Sequence, residues 1–260
     1  MRKIFLILFF CLIIIFTIFL TSHLSFQEET ISFLDEIRKR GKIVVGTTPL
    51  FPPFEYYDEK GNLVGFDIDL SKEIANQLGL ELEVKALPWE KLFHSLILTG
   101  EIDMIISALS FTPERAKFIG FSIPYFNSGQ VFLVREEMSV ESLEEMKNKK
   151  IGVQADTISE MEGAQFTTRE NLFSFKNYQL AVEALLKEEI DAVLLDYPLA
   201  KFIKKENKKL KTLPYIISHN FYSIGLRKGD EKFVLEINKI IQKLKKSGHL
   251  KFFEEKWLKN

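Results

Sequence analysis

The stretch Phe51 to Leu78, FPPFEYYDEKGNLVGFDIDLSKEIANQL, constrains this chain more than any other. It opens on two prolines set among aromatics and then passes through Asp58-Glu59-Lys60-Gly61-Asn62, a cluster of turn-forming residues. Behind that turn, Phe66, Leu70, Ile74 and Leu78 recur at every fourth position, the spacing of one buried helix face. Asp67 and Asp69 fall in the first turn of this helix, where acidic side chains meet the positive end of its dipole. Gly79 caps its end.

The same alternation of strands and helices continues on both sides. A short helix from Ile31 to Arg40 closes at Gly41, and the strand Lys42 to Thr47 follows. After the central helix come a strand from Leu80 to Leu87, a helix from Trp89 to Leu98 and a buried strand from Asp103 to Ser107. Pro113 introduces a helical turn over Thr112 to Phe118. This order predicts an α/β fold with a largely parallel sheet. A second unit of the same kind begins near residue 130, with strands at Gln130 to Arg135, Lys150 to Val153, Leu172 to Phe175 and Ile190 to Leu195. Helices at Val140 to Lys147, Thr157 to Ala164, Tyr178 to Lys187 and Tyr197 to Glu206 alternate with them. The chain returns through one strand, Phe221 to Arg227, into helices Glu231 to Lys246 and His249 to Leu258. No low-complexity linker separates the halves, which fits two lobes joined by crossing strands, with a cleft between them suited to a small ligand.

Composition excludes several classes. Lys plus Arg is 35 against 36 Asp plus Glu, so no net charge draws the chain to nucleic acid. The densest basic stretch, Lys201 to Lys211, reads as the solvated face and outlet of a helix. A single cysteine, Cys11, allows no intramolecular disulfide, and His23, His94, His219 and His249 share no metal-ligand spacing. No metal or cofactor is expected. At the N-terminus, Arg2 and Lys3 precede an apolar run from Ile4 to Leu20, and residues 1–25 read as a secretory signal or an uncleaved anchor. As a helix the run would span about 25 Å, slightly less than the ~30 Å hydrocarbon core. Export is the expectation.

The run Gly65-Phe66-Asp67-Ile68-Asp69-Leu70, with Glu73-Ile74-Ala75 behind it, resembles the signature of the bacterial extracellular solute-binding proteins, family 3, which capture amino acids. The likeness extends over Gly41 to Leu258. It implies a two-lobed, type II periplasmic-binding-protein-like fold, the first lobe made of 30–129 plus 222–260 and the second of 130–221, joined by two crossing strands. Asp103 to Lys117, DMIISALSFTPERAK, looks like the family's first-lobe ligand loop. By that resemblance Arg115 forks the ligand carboxylate, Ser110 donates from hydroxyl and amide, and the Ala108 carbonyl faces the ammonium. Such a fork suits a carboxylate because a guanidinium presents two parallel donors. Ile151 to Glu160, IGVQADTISE, looks like the second-lobe loop; Thr157 matches it, and Gln154 offers a further hydrogen bond. Asp156 stands where the family usually has glycine, a residue that tolerates positive φ more easily than aspartate. Asp196, at the end of Asp191 to Pro198, falls on the position that pairs the ammonium, although helix N-cap is the bland reading of an aspartate there.

The resemblance lines the side-chain pocket with Thr48, Phe51 and Trp89, with Phe54 as a further candidate. Threonine at position 48, where cation-binding members often carry an acid, favours a neutral polar or apolar ligand. The implied function is capture of a free amino acid by a monomer that closes on a hinge and delivers it to the permease of an ABC transporter. An enzyme resembling the periplasmic cyclohexadienyl dehydratases is the alternative, with His94, His219, Glu55 and Glu160 as weak candidates; a surface role is the expectation for both glutamates. An anchored sensor ectodomain is a third reading.

Overall fold

The computed structural model describes residues 13–16 and 32–259. Apart from 13–16, the N-terminal run read as a signal or anchor lies outside them. Among the described residues no helix is long and apolar enough to cross a membrane.

Two mixed sheets organise the chain. Helix α1 (Phe33–Arg40) leads into β1 (Lys42–Thr47), and a small antiparallel sheet follows, made of β2 (Leu50–Phe51), β3 (Glu55–Tyr57) and β4 (Leu63–Val64). Then come α2 (Phe66–Leu78), β5 (Glu81–Ala86), α3 (Trp89–His94) and β6 (Met104–Ile105). Strand β7 (Ile119–Phe121) precedes the long β8 (Phe126–Arg135), which carries the chain into the second lobe. There β9 (Ile151–Gln154), α4 (Ile158–Gly163), β10 (Leu172–Phe175), α5 (Tyr178–Leu186), β11 (Ala192–Asp196), α6 (Tyr197–Glu206) and β12 (Leu210–Thr212) follow. The return runs through β13 (Ser218–Tyr222) and β14 (Gly225–Arg227) into α7 (Glu231–Ser247) and α8 (His249–Leu258).

The first sheet has the order β5-β1-β6-β14-β7 and the second β10-β9-β11-β8-β12, with β13 also on β8. The expectation of largely parallel sheets is corrected by this. Strands β5, β1 and β6 run parallel, as do β10, β9 and β11, but each sheet is completed by antiparallel strands at the crossovers. The chain enters and leaves the second lobe along neighbouring paths, so those strands oppose their hosts. Strand β8 starts four residues earlier than expected because Phe126 to Gln130 pair antiparallel with β13 to form the crossing ribbon. The single return strand expected over Phe221 to Arg227 is two, since Ser223 and Ile224 leave β8 and bond Leu109 and Ser122 on the way to the first sheet. The expected helix over Val140 to Lys147 is a 3-10 helix, Leu143–Asn148, opened by a capping box between Ser142 and Glu145. The lysines from 201 to 209 stand exposed on α6 and its outlet.

Each sheet is covered on both faces. In the first lobe, Phe66, Leu70 and Ile74 of α2 pack with Ile237 and Ile241 of α7 and Phe253 of α8, while Leu92, Leu96 and Ile102 cover the opposite side. In the second lobe, Ala181, Leu185 and Leu199 lie on one face and Met146 and Leu213 on the other. Phe54, offered as a pocket wall, is instead fully buried against Phe66, Phe126 and Tyr222, with ring centroids at 5.6, 5.0 and 5.1 Å.

Gly65 shows why the signature needs a glycine. Its φ is +134°, and a Cβ placed there would meet the Phe54 carbonyl oxygen at 2.1 Å. That close approach lets the first amides of α2 find acceptors, Phe66 on Pro53 at 3.1 Å and Asp67 on Phe54 at 2.9 Å. Gly65→Ala is expected to cost about 3 kcal/mol or more of folding stability through backbone clash and strain, read as a lowered urea midpoint with unchanged slope. A variant within about 0.5 kcal/mol of the parent would show that the approach is not needed.

Candidate functional site

All nine residues named from the sequence as ligand contacts line one cavity between the lobes: Thr48, Phe51, Trp89, Ala108, Ser110, Arg115, Gln154, Thr157 and Asp196. Glu55, Ser107, Lys176, Tyr178 and Gln179 line it too and were not singled out as ligand contacts.

Arg115 is held by its own loop. Thr112 accepts its backbone N–H through Oγ1 at 3.1 Å, which starts the short turn that carries it. One guanidinium nitrogen donates to the Ser110 carbonyl and the other to the Asp156 carbonyl of the second lobe, both at 2.9 Å. The guanidinium also lies over the rings of Trp89 and Phe93, at 5.3 and 5.7 Å. These two bonds use two of five N–H donors, so the fork keeps donors for an anion. Burial lowers Arg115 to about 10, with the Asp196 and Asp156 carboxylates pulling the other way.

Asp156 resolves the question raised by its departure from glycine. It adopts φ +59°, the left-handed conformation that glycine would take, and its amide bonds Glu160 Oε2 at 2.9 Å. Its carbonyl accepts from both Arg115 and the Trp89 indole, the latter at 3.3 Å. The Thr157 hydroxyl turns back to the Gln154 carbonyl at 2.7 Å instead of capping α4. Ala108, which lines the cavity, is also a non-glycine residue at positive φ, +44°. Non-glycine residues in this region carry strain, here in both loops that face the cavity.

Asp196 occupies the N-cap position of α6, yet its side chain makes no cap hydrogen bond. It accepts instead from Tyr222 Oη at 2.7 Å and Ser128 Oγ at 3.3 Å, one donor from each crossing strand. Burial pushes its carboxyl up to about 6, opposed by hydrogen bonds from Tyr222, Gln130 and Ser128. A carboxylate spared from capping and aimed at a cavity is free to pair a cation.

Glu55 departs from the surface role expected of it: it is 1% exposed and lines the cavity. Its Oε1 accepts from Ser107 Oγ at 2.8 Å, and its Oε2 has no donor among the described residues. Burial, and after it the charge of Asp67, raise Glu55 well above the usual carboxylate range. Sequence reading names it only as an enzymatic candidate and expects a surface role, because a glutamate beside a turn-rich segment looks solvated. Its position directly after the buried Phe54 is the one signal that pointed inward. Glu160, the other glutamate, ties the second-lobe loop through Asp156 and Ser174. Neither His94 nor His219 lines the cavity.

Contacts across the cavity also include Gln179 Nε2 to the Leu50 carbonyl at 3.3 Å, Lys176 to Glu90 at 3.8 Å, and the Phe51 and Tyr178 rings edge-on at 6.2 Å.

The chain belongs to the bacterial extracellular solute-binding proteins, family 3, whose sequence profile matches residues 43–260. It is 30% identical over 236 residues to a protein of Escherichia coli strain K12 named L-cystine-binding protein TcyJ, covering 90% of this chain and 88% of that one. Among solved structures, it is similar to the arginine-bound form of truncated ArgBP from T. maritima, at 37% identity and TM-score 0.75, covering 81% of this chain and 99% of that one. It is also similar to AncCDT-1, an ancestral amino acid-binding protein and precursor of cyclohexadienyl dehydratase, at 32% identity and TM-score 0.80, covering 87% and 100%. By their names these relatives are a cystine-binding protein, an arginine-bound protein and an ancestral amino acid-binding protein.

Two outcomes follow for the site. Asp156→Gly relieves the left-handed aspartate and is expected to raise stability by about 1 kcal/mol in urea unfolding. For Asp196 the folded value, about 6, lies above the ordinary 3.8, so its contribution opposes folding above pH 6 and fades as pH falls toward 3.8. The parent should therefore gain on the order of 2 kcal/mol relative to Asp196→Asn between pH 7 and pH 4. Parallel pH profiles of the two proteins would contradict this.

Proposed function

We propose that this chain captures a free α-amino acid with a cationic side chain, of the arginine type, in the cavity between its lobes and delivers it to the membrane permease of an ABC transporter. The lobes are taken as 30–129 plus 222–260 and 130–221. Arg115 pairs the ligand carboxylate with help from Ser110 and Thr157, and Asp196 pairs the ammonium with help from the Ala108 carbonyl. Phe51 and Trp89 flank the side chain, with Thr48 and Gln154 at its edge.

The observation that carries the cationic preference is Glu55. Once Arg115 and Asp196 have answered the two charges of a zwitterion, this buried acid is left over in the cavity wall. A second acceptor without a donor among the described residues, Gln179 Oε1, belongs to a residue that lines the same cavity. An ionised Glu55 and the Gln179 amide oxygen would each lack a donor at a cost, and a guanidinium supplies donors for both. The neutral preference drawn from Thr48 considers one position; its hydroxyl is already bonded to the Leu87 carbonyl at 3.0 Å, while Glu55 supplies the countercharge from a neighbouring strand. The arginine-bound state of ArgBP is in keeping with this reading.

Closure follows from differential affinity. Arg115 and Asp196 belong to opposite lobes, and a ligand touching both favours the state in which both are near. Export, expected from the N-terminal sequence, places the chain where it meets free amino acids. The dehydratase alternative has no cavity histidine in its favour.

Calorimetry over the amino acids tests the proposal. Arginine or lysine is expected to bind at micromolar Kd or tighter, about −8 kcal/mol. Citrulline, the neutral isostere of arginine, should bind at least about ten-fold more weakly, since one charge-assisted contact is lost. Arg115→Ala and Asp196→Ala should each lose about 2–5 kcal/mol of binding. Tighter binding of citrulline than of arginine would sink the cationic preference, and full affinity in either alanine variant would sink the clamp.

A further inference from the structure

Beneath Glu55 lies a second buried carboxylate. Asp67, in the first turn of α2, is fully buried. Its Oδ2 accepts from the Ala108 amide at 2.7 Å and from Tyr125 Oη at 2.8 Å. Its Oδ1, like Oε2 of Glu55, has no donor among the described residues. Two adjoining buried acids, each with one oxygen lacking a donor, are satisfied together by a single proton.

The hydrogen-bond inventory also says where that proton sits. Asp67 accepts from an amide and a phenol, both of which favour its ionised form, whereas Glu55 accepts from one serine hydroxyl. Burial raises both acids, Asp67 to about 7 and Glu55 well above its usual range, and the bond between the two lowers Asp67 while raising Glu55. Glu55 is therefore the protonated partner. The ionisable groups that face it do not offer a cation. They are Asp67 on α2, Asp196 on β11, and the phenols Tyr178 on α5, Tyr125 ahead of β8 and Tyr222 on β13. The Arg115 charge is engaged by Asp196 and Asp156, and Lys176, which also lines the cavity, pairs with Glu90 at 3.8 Å.

We propose that Glu55 and Asp67 share one proton that a cationic ligand side chain displaces, so that capture in this cleft is coupled to proton release. In the step, the Glu55 O–H bond breaks, the proton leaves to solvent buffer, and the ligand cation takes its place as the charge beside Glu55, the one of the two carboxylates that lines the cavity. The total charge of the site is unchanged, which keeps the burial cost of the second carboxylate from ever being met alone. The sign follows directly. Where the pair still holds its proton before capture, binding must expel it, so affinity rises with pH, up to ten-fold per unit. Above the pH at which the pair ionises by itself, that dependence vanishes. A neutral ligand gives the pair no reason to lose its proton.

This inference rests on the cationic reading above, and one experiment separates the two. The titration is calorimetric, on the full chain at pH 7.5, with arginine and lysine, in phosphate and in Tris, whose ionisation enthalpies differ. The expected result is a buffer-dependent heat corresponding to about one proton released per ligand bound. At this pH Asp196, at about 6, is already ionised and adds little. In Glu55→Gln the release should disappear, with weaker arginine binding. In Asp67→Asn, which keeps an acceptor for Ala108 and Tyr125, the pH dependence of arginine affinity should shift to lower pH. Tight arginine or lysine binding by the parent with no buffer dependence overturns proton coupling and leaves the cationic reading standing. Binding of neutral amino acids alone overturns both. The parent measurement decides the matter even if a variant does not fold.

Discussion

A carboxylate buried without a cation costs several kcal/mol unless hydrogen bonds replace its water, and the first lobe is arranged around one that meets this condition. Asp67 receives the Ala108 amide and the Tyr125 hydroxyl on a single oxygen. Those bonds fix three separate segments to one point: the start of α2, the loop that carries Ser110 and Arg115, and the approach to the crossing strand β8. Gly65 makes the point reachable, because only a residue without Cβ can bring the helix start against the Phe54 carbonyl. The signature segment therefore does more than build a helix. It touches no ligand-facing surface through Asp67 itself, yet it holds the positive-φ turn at Ala108 on which the first-lobe half of the cavity depends.

Much of this was legible. The fourfold spacing of Phe66, Leu70, Ile74 and Leu78 located α2, and the alternation of strands and helices located most of both lobes. Resemblance, more than periodicity, found the cavity: Arg115 and Asp196 lie 81 positions apart, by 196 − 115, and no local pattern connects them. What escaped was set by tertiary placement. Glu55 has the local sequence of a solvated turn flank, and only the packing of α2 beneath it makes it a buried acid. Tyr222 reads as an ordinary strand residue and Ser128 falls ahead of the strand expected from Gln130, because their role depends on the ribbon that brings β8 beside β13. That ribbon also explains the misread strand ends, since antiparallel crossovers leave no periodic mark that distinguishes them from parallel strands.

The anchoring of Asp196 has a mechanical consequence for a two-lobed binder. Its carboxylate ends β11 in the second lobe, but its donors Ser128 and Tyr222 lie on the two strands that cross between the lobes. On the proposed hinge closure, a group tied to the crossing strands would move little as the lobes rotate about them, whereas Arg115 and the Asp156 loop, on opposite faces of the cleft, would separate. On the proposed assignment, the ligand ammonium would be seated near the axis of rotation and its carboxylate out where the lobes part. The Asp156 carbonyl already accepts from Arg115 and Trp89 across that gap, so these protein–protein bonds hold the faces together on one strained residue. A ligand carboxylate in reach of the remaining Arg115 donors adds to the same junction. On that proposal, the energy that selects a closed arrangement would be concentrated far from the axis, where a small rotation changes distances most.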